Sequence, residues 1–290
     1  MAPTRDDNLQ FRRMNSFVPE ARKVAIRRAS DISLLENELG PMTRALAVLF
    51  LGFAAAGYAL IAPHRQAASN RQAASNRHAA ILPGSSPAVL ELYQSQGCSS
   101  CPPALEVLRQ EADRPDVIAL SFAVTYWDQL GWKDSFAQPA FTRRQWDYAH
   151  ANAYSVVATP QLIVNGRGFV NGGDKSEVEE AIERYRLPTG GPSLQFDREQ
   201  LIVGSVPGAH RATVWLVSYD PRTLQVPIRA GENDGRTLAH RNIVRTLEAL
   251  GAWSGAQQAY RLPPAGPGLG RAILVQSGTG GPIIAARRLG

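Results

Sequence analysis

The chain has 290 residues, of which 44% are hydrophobic and 19% are charged, and its formal net charge is +6. This hydrophobic content is sufficient for a packed core and excludes a disordered chain, and the length fits one large domain or two modest ones. The basic excess comes without a long basic run interleaved with aromatic residues, so we expect no nucleic-acid binding. With only two cysteines, Cys98 and Cys101, neither a network of structural disulfides nor a closed four-ligand zinc site is expected.

An uncharged apolar segment covers residues 45–62 (ALAVLFLGFAAAGYALIA) and is flanked by basic residues. Its length reaches the lower limit for a transmembrane helix and is also typical of a long signal-peptide core. Two interpretations stay open. Either translation begins at Met1 and the tail 1–44 precedes a membrane-anchoring helix, or it begins at Met42 and the segment is a cleaved secretory signal. Both predict that the rest of the chain is exported, to the periplasm or another extracytoplasmic space.

Residues 63–87 separate this apolar segment from the first predicted strand. They contain the direct repeat RQAASN-RQAASN, whose small and polar composition is typical of a solvated, flexible linker. Pro83, Gly84 and Pro87 then interrupt any regular structure. We therefore expect the folded part of the chain to begin at Ala88.

The two cysteines lie at a predicted junction between a strand and a helix. Residues 88–93 (AVLELY) read as a strand, and after CSSCPP the apolar residues recur at helical spacing. Free N–H groups and the positive dipole end at a helix start stabilise a thiolate, which predicts that Cys98 is an exposed nucleophile with a depressed pKa. Cys101 would then be the shielded thiol that closes a disulfide with Cys98 and releases a mixed-disulfide partner. The alternatives are an inert pair or a soft-metal site, for example for copper(I).

The pattern after the dithiol predicts further elements in the order βαβαββα for the whole stretch. In chain order these are a buried strand at 117–124, a helix at 138–152, a Thr-Pro pair at 159–160 before a short strand and an Asn-Gly hairpin turn, a returning strand at 168–170, and a helix after the N-cap residue Asp174.

This arrangement resembles the thioredoxin fold, which has CxxC after its first strand and Thr-Pro before its third. The stretches ELYQSQGCSSCPPA, YWDQLGWKDSFA, TPQLIVNG, ENDGRTLAHRN and AILVQSGTGGPI are similar to the DUF1223 family of exported bacterial thioredoxin-like proteins, over about residues 88–289. The resemblance implies that the Thr159–Pro160 bond is cis, that Pro160 lies against the dithiol, and that the preceding backbone binds a peptide as an added strand. It implies no particular substrate, because the family has no assigned function.

Three other residues are candidate site residues. Trp127 and Asp128 follow the second strand, at the sheet edge that carries Cys98, and ligands of open α/β sheets favour that edge. We expect both to contact substrate, although Trp127 alternatively packs a loop onto the core. Glu91 is a candidate proton relay to Cys101, as an acidic residue is in thioredoxins. It lies one residue further from the dithiol than the acid of thioredoxin does, so the face of the strand on which its side chain lies stays open.

After a thioredoxin-like domain at 88–188, the pattern changes to short strands separated by proline and glycine turns. This predicts a β-rich, sandwich-like module over 189–290. The strand candidates are 201–203, 212–219, 224–228 and 272–276. The polar stretch 232–245 (ENDGRTLAHRNIVR) is interpreted as a structural surface near the interface between the two parts.

These observations predict an exported thiol–disulfide oxidoreductase that uses Cys98 and Cys101 and needs neither an organic cofactor nor a metal. Its partners would be a protein or small thiol/disulfide substrate, an external electron donor or acceptor, and the membrane if residues 45–62 are not cleaved. The alternative is a binding module, either a copper(I) metallochaperone or a redox sensor that docks a partner through the β-rich module. The absence of a nearby third ligand in the sequence weighs against the metal.

Overall fold

The computed structural model describes residues 86–197, 199–208 and 211–289. The predictions for the tail 1–44, for the apolar segment 45–62 and for the linker up to residue 85 therefore lie outside the described residues. Within the described ranges, no helix has the length and apolar character needed to cross a membrane.

The described residues form a mixed α/β fold with three α-helices. Its elements, in chain order, are β1 (Ala88–Gln94), α1 (Pro102–Glu111), β2 (Val117–Ala123), a 3-10 helix (Asp128–Leu130), α2 (Pro139–Ala151), β3 (Gln161–Val164), β4 (Gly168–Val170), α3 (Lys175–Arg184), β5 (Leu194–Asp197), β6 (Gln200–Val203), β7 (Ala212–Asp220), β8 (Leu224–Pro227), β9 (Thr237–His240), β10 (Ile243–Trp253), β11 (Gln258–Arg261), β12 (Gly270–Ser277) and β13 (Ile283–Leu289).

One large mixed sheet contains eight of these strands in the order β13-β12-β7-β10-β2-β1-β3-β4. β1 and β2 are parallel, and β3 and β4 add to them in antiparallel pairing. The two halves of the chain are joined by parallel pairing of β10 with β2, where Ile243 lies opposite Ser121. The second half is β-rich, as predicted, but four of its strands extend the sheet of the first half. The predicted boundary at 188/189 thus falls between strands that share one sheet.

The two faces of the β1–β2 part of the sheet are covered by different helices. Leu90 and Leu92 pack with α1 and α3, whereas Val89 and Tyr93 pack with α2 on the opposite face. This division follows from the two-residue repeat of a strand, whose side chains alternate between faces. The small sheet β11-β6-β5 covers one face of the β7–β12 part through a separate apolar cluster.

The first turns of α1 and α3 follow their local sequences. Pro102 and Pro103 occupy the first turn of α1, where the missing N–H groups have no intrahelical partner to lose. Asp174 is the N-cap of α3, as predicted, and its side chain accepts hydrogen bonds from the backbone N–H groups of Ser176 and Glu177. The start of α1 immediately after Cys101 positions the dithiol at the N-terminus of that helix.

Candidate active site at the Cys98–Cys101 disulfide

Cys98 and Cys101 form a disulfide at the N-terminus of α1, and their Cα atoms are 5.5 Å apart. The turn is held by hydrogen bonds from Cys98 N to Ser95 O (3.1 Å) and from Cys101 N to Cys98 O (3.2 Å). Both cysteines are fully buried. The expectation that Cys98 is exposed is therefore wrong for this oxidised state, in which Ser99 and Ser100 are the exposed residues of the turn.

The two serines between the cysteines have different partners. Ser99 donates to Glu232 Oε2 through its hydroxyl (2.7 Å) and through its backbone N–H (3.3 Å). Ser100 Oγ lies 3.4 Å from Cys98 Sγ and 3.5 Å from the carbonyl oxygen of Thr159. Because a disulfide sulfur carries no proton, the Ser100 hydroxyl is the donor in the contact with sulfur. One serine thus faces the second half of the chain, and the other faces a sulfur of the dithiol.

Residues 231–236, which we call the cap, lie against the dithiol turn. The buried Asn233 donates through Nδ2 to Gln96 O (2.9 Å) and to Cys98 O (2.8 Å), and its Oδ1 accepts from Arg236 Nη1 (2.8 Å). Residues 232–236 of the cap belong to the polar stretch 232–245, which was interpreted as structural from the sequence. Its hydrogen bonds bring the cap against the backbone on either side of Gly97 and Cys98, and Cys98 is fully buried in this arrangement.

A second segment, 126–136, which we call the rim, borders the dithiol turn. Trp127 is half-buried, and its indole N–H donates to Thr159 Oγ1 (2.7 Å). Trp132 Nε1 donates to Gln96 Oε1 (2.9 Å), and its Cβ lies beside Gly231 of the cap. The rim therefore contacts the turn before Cys98, the cap and the Thr-Pro pair.

Two acidic residues of the rim have different environments. Asp134 is buried and accepts from the backbone N–H groups of Gln96 (2.7 Å) and Phe136 (2.8 Å). Burial raises the pKa of Asp134 to about 6, against the lowering effect of these hydrogen bonds. Asp128 Oδ1 accepts from Asp134 N (3.1 Å) and so stabilises the rim itself. Sequence reasoning selected Asp128 and missed Asp134, although both lie in the same motif.

The Thr159–Pro160 bond is cis, as the resemblance implied. Both residues are buried, and the Thr159 carbonyl and hydroxyl groups contact Ser100 and Trp127 respectively. The structure thus brings Thr159 and Trp127 to the turn that carries the dithiol, and Pro160 follows Thr159 through the cis bond.

Glu91 occupies the opposite face of the sheet. Its carboxylate accepts from Arg144 Nε (2.7 Å) and Nη2 (2.9 Å), from Tyr148 OH (2.8 Å) and from Tyr93 OH (2.9 Å). Arg144 and Tyr148 belong to α2, so this buried ion pair faces away from α1 and its dithiol. The expectation of a proton relay from Glu91 to Cys101 is corrected by this placement. The cause is the alternation of β1, in which Leu90 and Leu92 face α1.

Residues 89–276 match the model of a family described as a protein of unknown function (DUF1223). The chain belongs to the DUF1223 family. The DUF1223 match includes the dithiol, the rim and the cap, and it confirms the resemblance found in the sequence. The chain is similar to protein AGR_C_4864 from Agrobacterium tumefaciens, whose crystal structure superposes with a TM-score of 0.57 and whose sequence is 32% identical. The match covers 70% of this chain and 93% of that chain. HBP35 of Porphyromonas gingivalis is 12% identical, with a TM-score of 0.45 and coverage of 71% and 75%. No curated protein matches the chain.

Proposed function

We propose that this DUF1223 protein is an exported thiol–disulfide oxidoreductase whose reactive group is the Cys98–Cys101 pair. The observation that carries the proposal is the disulfide at the N-terminus of α1, with the Thr159 carbonyl in contact with Ser100 of the same turn. A helix N-terminus favours a thiolate, which is the nucleophile of disulfide exchange. The apolar segment 45–62 supports export, to compartments in which disulfides form and persist.

A thioredoxin-like fold for residues 88–188 is part of this proposal. Four observations support it: the order βαβαββα, the strand order β2-β1-β3-β4, helices on both faces, and the Thr-Pro pair at the start of β3. In this arrangement, we expect a substrate peptide to add as a strand to the backbone before Pro160, once the carbonyl groups of Ala158 and Thr159 exchange their present partners Gln145 and Ser100.

In the reductive direction, the Cys98 thiolate attacks one sulfur of a substrate disulfide. A mixed disulfide forms, the substrate S–S bond breaks, and the departing substrate thiolate takes up a proton. Cys101 then loses its proton and attacks Cys98 Sγ, which releases the second substrate thiolate and closes the Cys98–Cys101 disulfide. Two electrons have passed to the substrate, and an external dithiol, which is oxidised to its disulfide, supplies two further electrons that reduce the Cys98–Cys101 disulfide again. The oxidative direction is the reverse, with an external disulfide as the electron acceptor.

The cap has to move during either direction. A substrate sulfur must approach Cys98 Sγ, yet Cys98 is fully buried when the cap is bound to its carbonyl. The contacts that hold the cap to the turn are hydrogen bonds from Asn233 and to Glu232, and each contributes only a small net free energy because water can replace it when the cap opens. Substrate access through cap opening is therefore included in the proposal.

A trapping experiment tests this function, because the chain contains no other cysteines. Purified Cys101→Ser protein has a single thiol, so any mixed disulfide with insulin or glutathione disulfide must be at Cys98. Cys98→Ser is the matched control. We expect Cys101→Ser to accumulate the mixed disulfide, Cys98→Ser to accumulate far less, and the wild type to reduce insulin with an external dithiol. A wild type without turnover, together with a Cys101→Ser variant that traps nothing, would show the proposal to be wrong.

A further inference from the structure

We propose that Ser100 is a catalytic hydrogen-bond donor, whose hydroxyl stabilises the Cys98 thiolate during disulfide exchange. The inference rests on the proposed function and names a second group that touches the reacting sulfur. Its basis is the 3.4 Å separation between Ser100 Oγ and Cys98 Sγ. Within the described residues, no other side chain forms a hydrogen bond with Cys98 Sγ.

The Ser100 hydroxyl has one proton and two neighbouring acceptors. In the oxidised state these are Cys98 Sγ at 3.4 Å and Thr159 O at 3.5 Å, and both are uncharged; the contact with the carbonyl oxygen is at the long end of the hydrogen-bonding range. Reduction makes Cys98 Sγ a charged acceptor, and hydrogen bonds to charged groups are shorter and stronger than neutral ones. The contact therefore gains strength when negative charge develops on sulfur, which is the condition for it to accelerate the reaction.

Ser99 cannot play the same role. Its hydroxyl and its backbone N–H both point to Glu232 Oε2, on the cap side of the turn. The other ionisable groups around the turn do not bind Cys98 Sγ directly. Asp134 binds Gln96 N, and Arg236 binds Asn233. His240 lies on β9, which packs against α1, and it is kept neutral because burial lowers its pKa to about 4. Ser100 is thus the side chain placed to respond to charge on Cys98.

The reduction step balances without a proton from Ser100. The disulfide takes up two electrons and one proton and yields a Cys98 thiolate and a Cys101 thiol. Ser100 keeps its own proton and donates only a hydrogen bond, so its contribution is to the stability of the thiolate.

The test compares neighbouring serines in the full, reduced chain. The rate of iodoacetamide alkylation at Cys98, mapped by mass spectrometry across a pH series, gives the pKa of that thiol in the wild type and in Ser100→Ala, Ser99→Ala and Ser100→Thr. We expect Ser100→Ala to raise the pKa of Cys98 by about one unit, a tenfold loss of thiolate below that pKa. Ser100→Thr, which keeps the hydroxyl, should restore the wild-type value, and Ser99→Ala should leave it within about 0.3 units.

An unchanged pKa in Ser100→Ala overturns the inference, and so does an equal shift in Ser99→Ala or a failure of Ser100→Thr to restore the value. Both serines are exposed, so neither substitution should disturb the core, and circular dichroism of each variant is the control for folding. Because alkylation needs no substrate, the experiment tests the role of Ser100 independently of the proposed oxidoreductase function. A shifted pKa without insulin reduction contradicts the oxidoreductase, whereas turnover with an unshifted pKa contradicts only the role of Ser100.

Discussion

Replacing Asn233 with alanine should accelerate reduction of the Cys98–Cys101 disulfide. Asn233 Nδ2 donates to the carbonyl oxygens of Gln96 (2.9 Å) and Cys98 (2.8 Å), and these bonds tie the cap to the turn. In Asn233→Ala both are lost, while the two carbonyls can bind water once the cap opens. The variant therefore weakens the closed state more than the open one.

The size of the effect follows from the two lost hydrogen bonds. Each contributes a net free energy of about 0.5–1.5 kcal/mol, so closure loses about 1–3 kcal/mol. Such a difference raises the population of the open cap by roughly 5- to 150-fold. If opening is a rapid equilibrium that precedes attack on sulfur, the second-order rate constant for reduction rises by the same factor.

The assay is reduction of the folded protein by dilute dithiothreitol, followed by a gel shift after thiol labelling. Tyr260→Phe is the control, because it also removes one hydrogen bond (Tyr260 OH to Ala252 O, 2.7 Å) but lies in the small sheet β11-β6-β5. It should lower the free energy of unfolding without changing the reduction rate. If Asn233→Ala is destabilised but is reduced at the wild-type rate, the cap does not limit access to Cys98.

Three further outcomes are expected. Arg144→Met leaves the Glu91 carboxylate unpaired in the core and should lower the free energy of unfolding in urea by about 3–5 kcal/mol; a loss below about 1 kcal/mol would contradict the buried ion pair. Burial raises the pKa of Asp134 from 3.8 to about 6, so between these pH values the folded state binds a proton that the unfolded state has lost. Protonated Asp134 therefore stabilises the fold, fully below pH 3.8, and this stabilisation is lost as the pH rises through 6. The stability of the wild type relative to Asp134→Asn should therefore fall by about 1 kcal/mol between about pH 5 and about pH 7.5, and a constant difference would refute this. Leu130 is an exposed apolar side chain on the rim, and we expect it to contact a protein substrate but not a small one. Leu130→Ser should therefore slow mixed-disulfide formation with insulin but not with glutathione disulfide, whereas Tyr154→Ser, at another exposed large apolar side chain, should change neither rate. Equal effects of both variants would exclude a docking role for Leu130.

Local sequence patterns predicted the elements that position the dithiol. The strand before Cys98, the helix after Cys101, and the Thr-Pro pair before β3 each depend on neighbours within a few positions. β10 was not among the strand candidates, since its sequence IVRTLEALGAW has apolar residues at spacings compatible with a helix. In the structure it is an irregular strand held between β7 and β2, so tertiary pairing overrode the local pattern.

The cap was not predictable from local patterns for a different reason. Asn233 contacts Cys98 across 135 positions of sequence, and such a pair becomes visible only once β8, β9 and α1 are packed together. The stretch was recognised as unusually polar, which is the signal that could have identified it. Likewise, the sequence did not determine which face of the sheet Glu91 occupies, because a register shift of one residue moves every side chain of a strand to the other face.

The pairing of β10 with β2 leaves the first half of the chain without a free edge on that side. A protein cut after residue 188 would expose the backbone of β2, a strand in which every residue is buried, and a bare apolar edge is a template for pairing with other chains. The same cut would also remove the cap from Cys98. We therefore expect such a fragment to self-associate, so that the second half cannot be detached or exchanged as an accessory module.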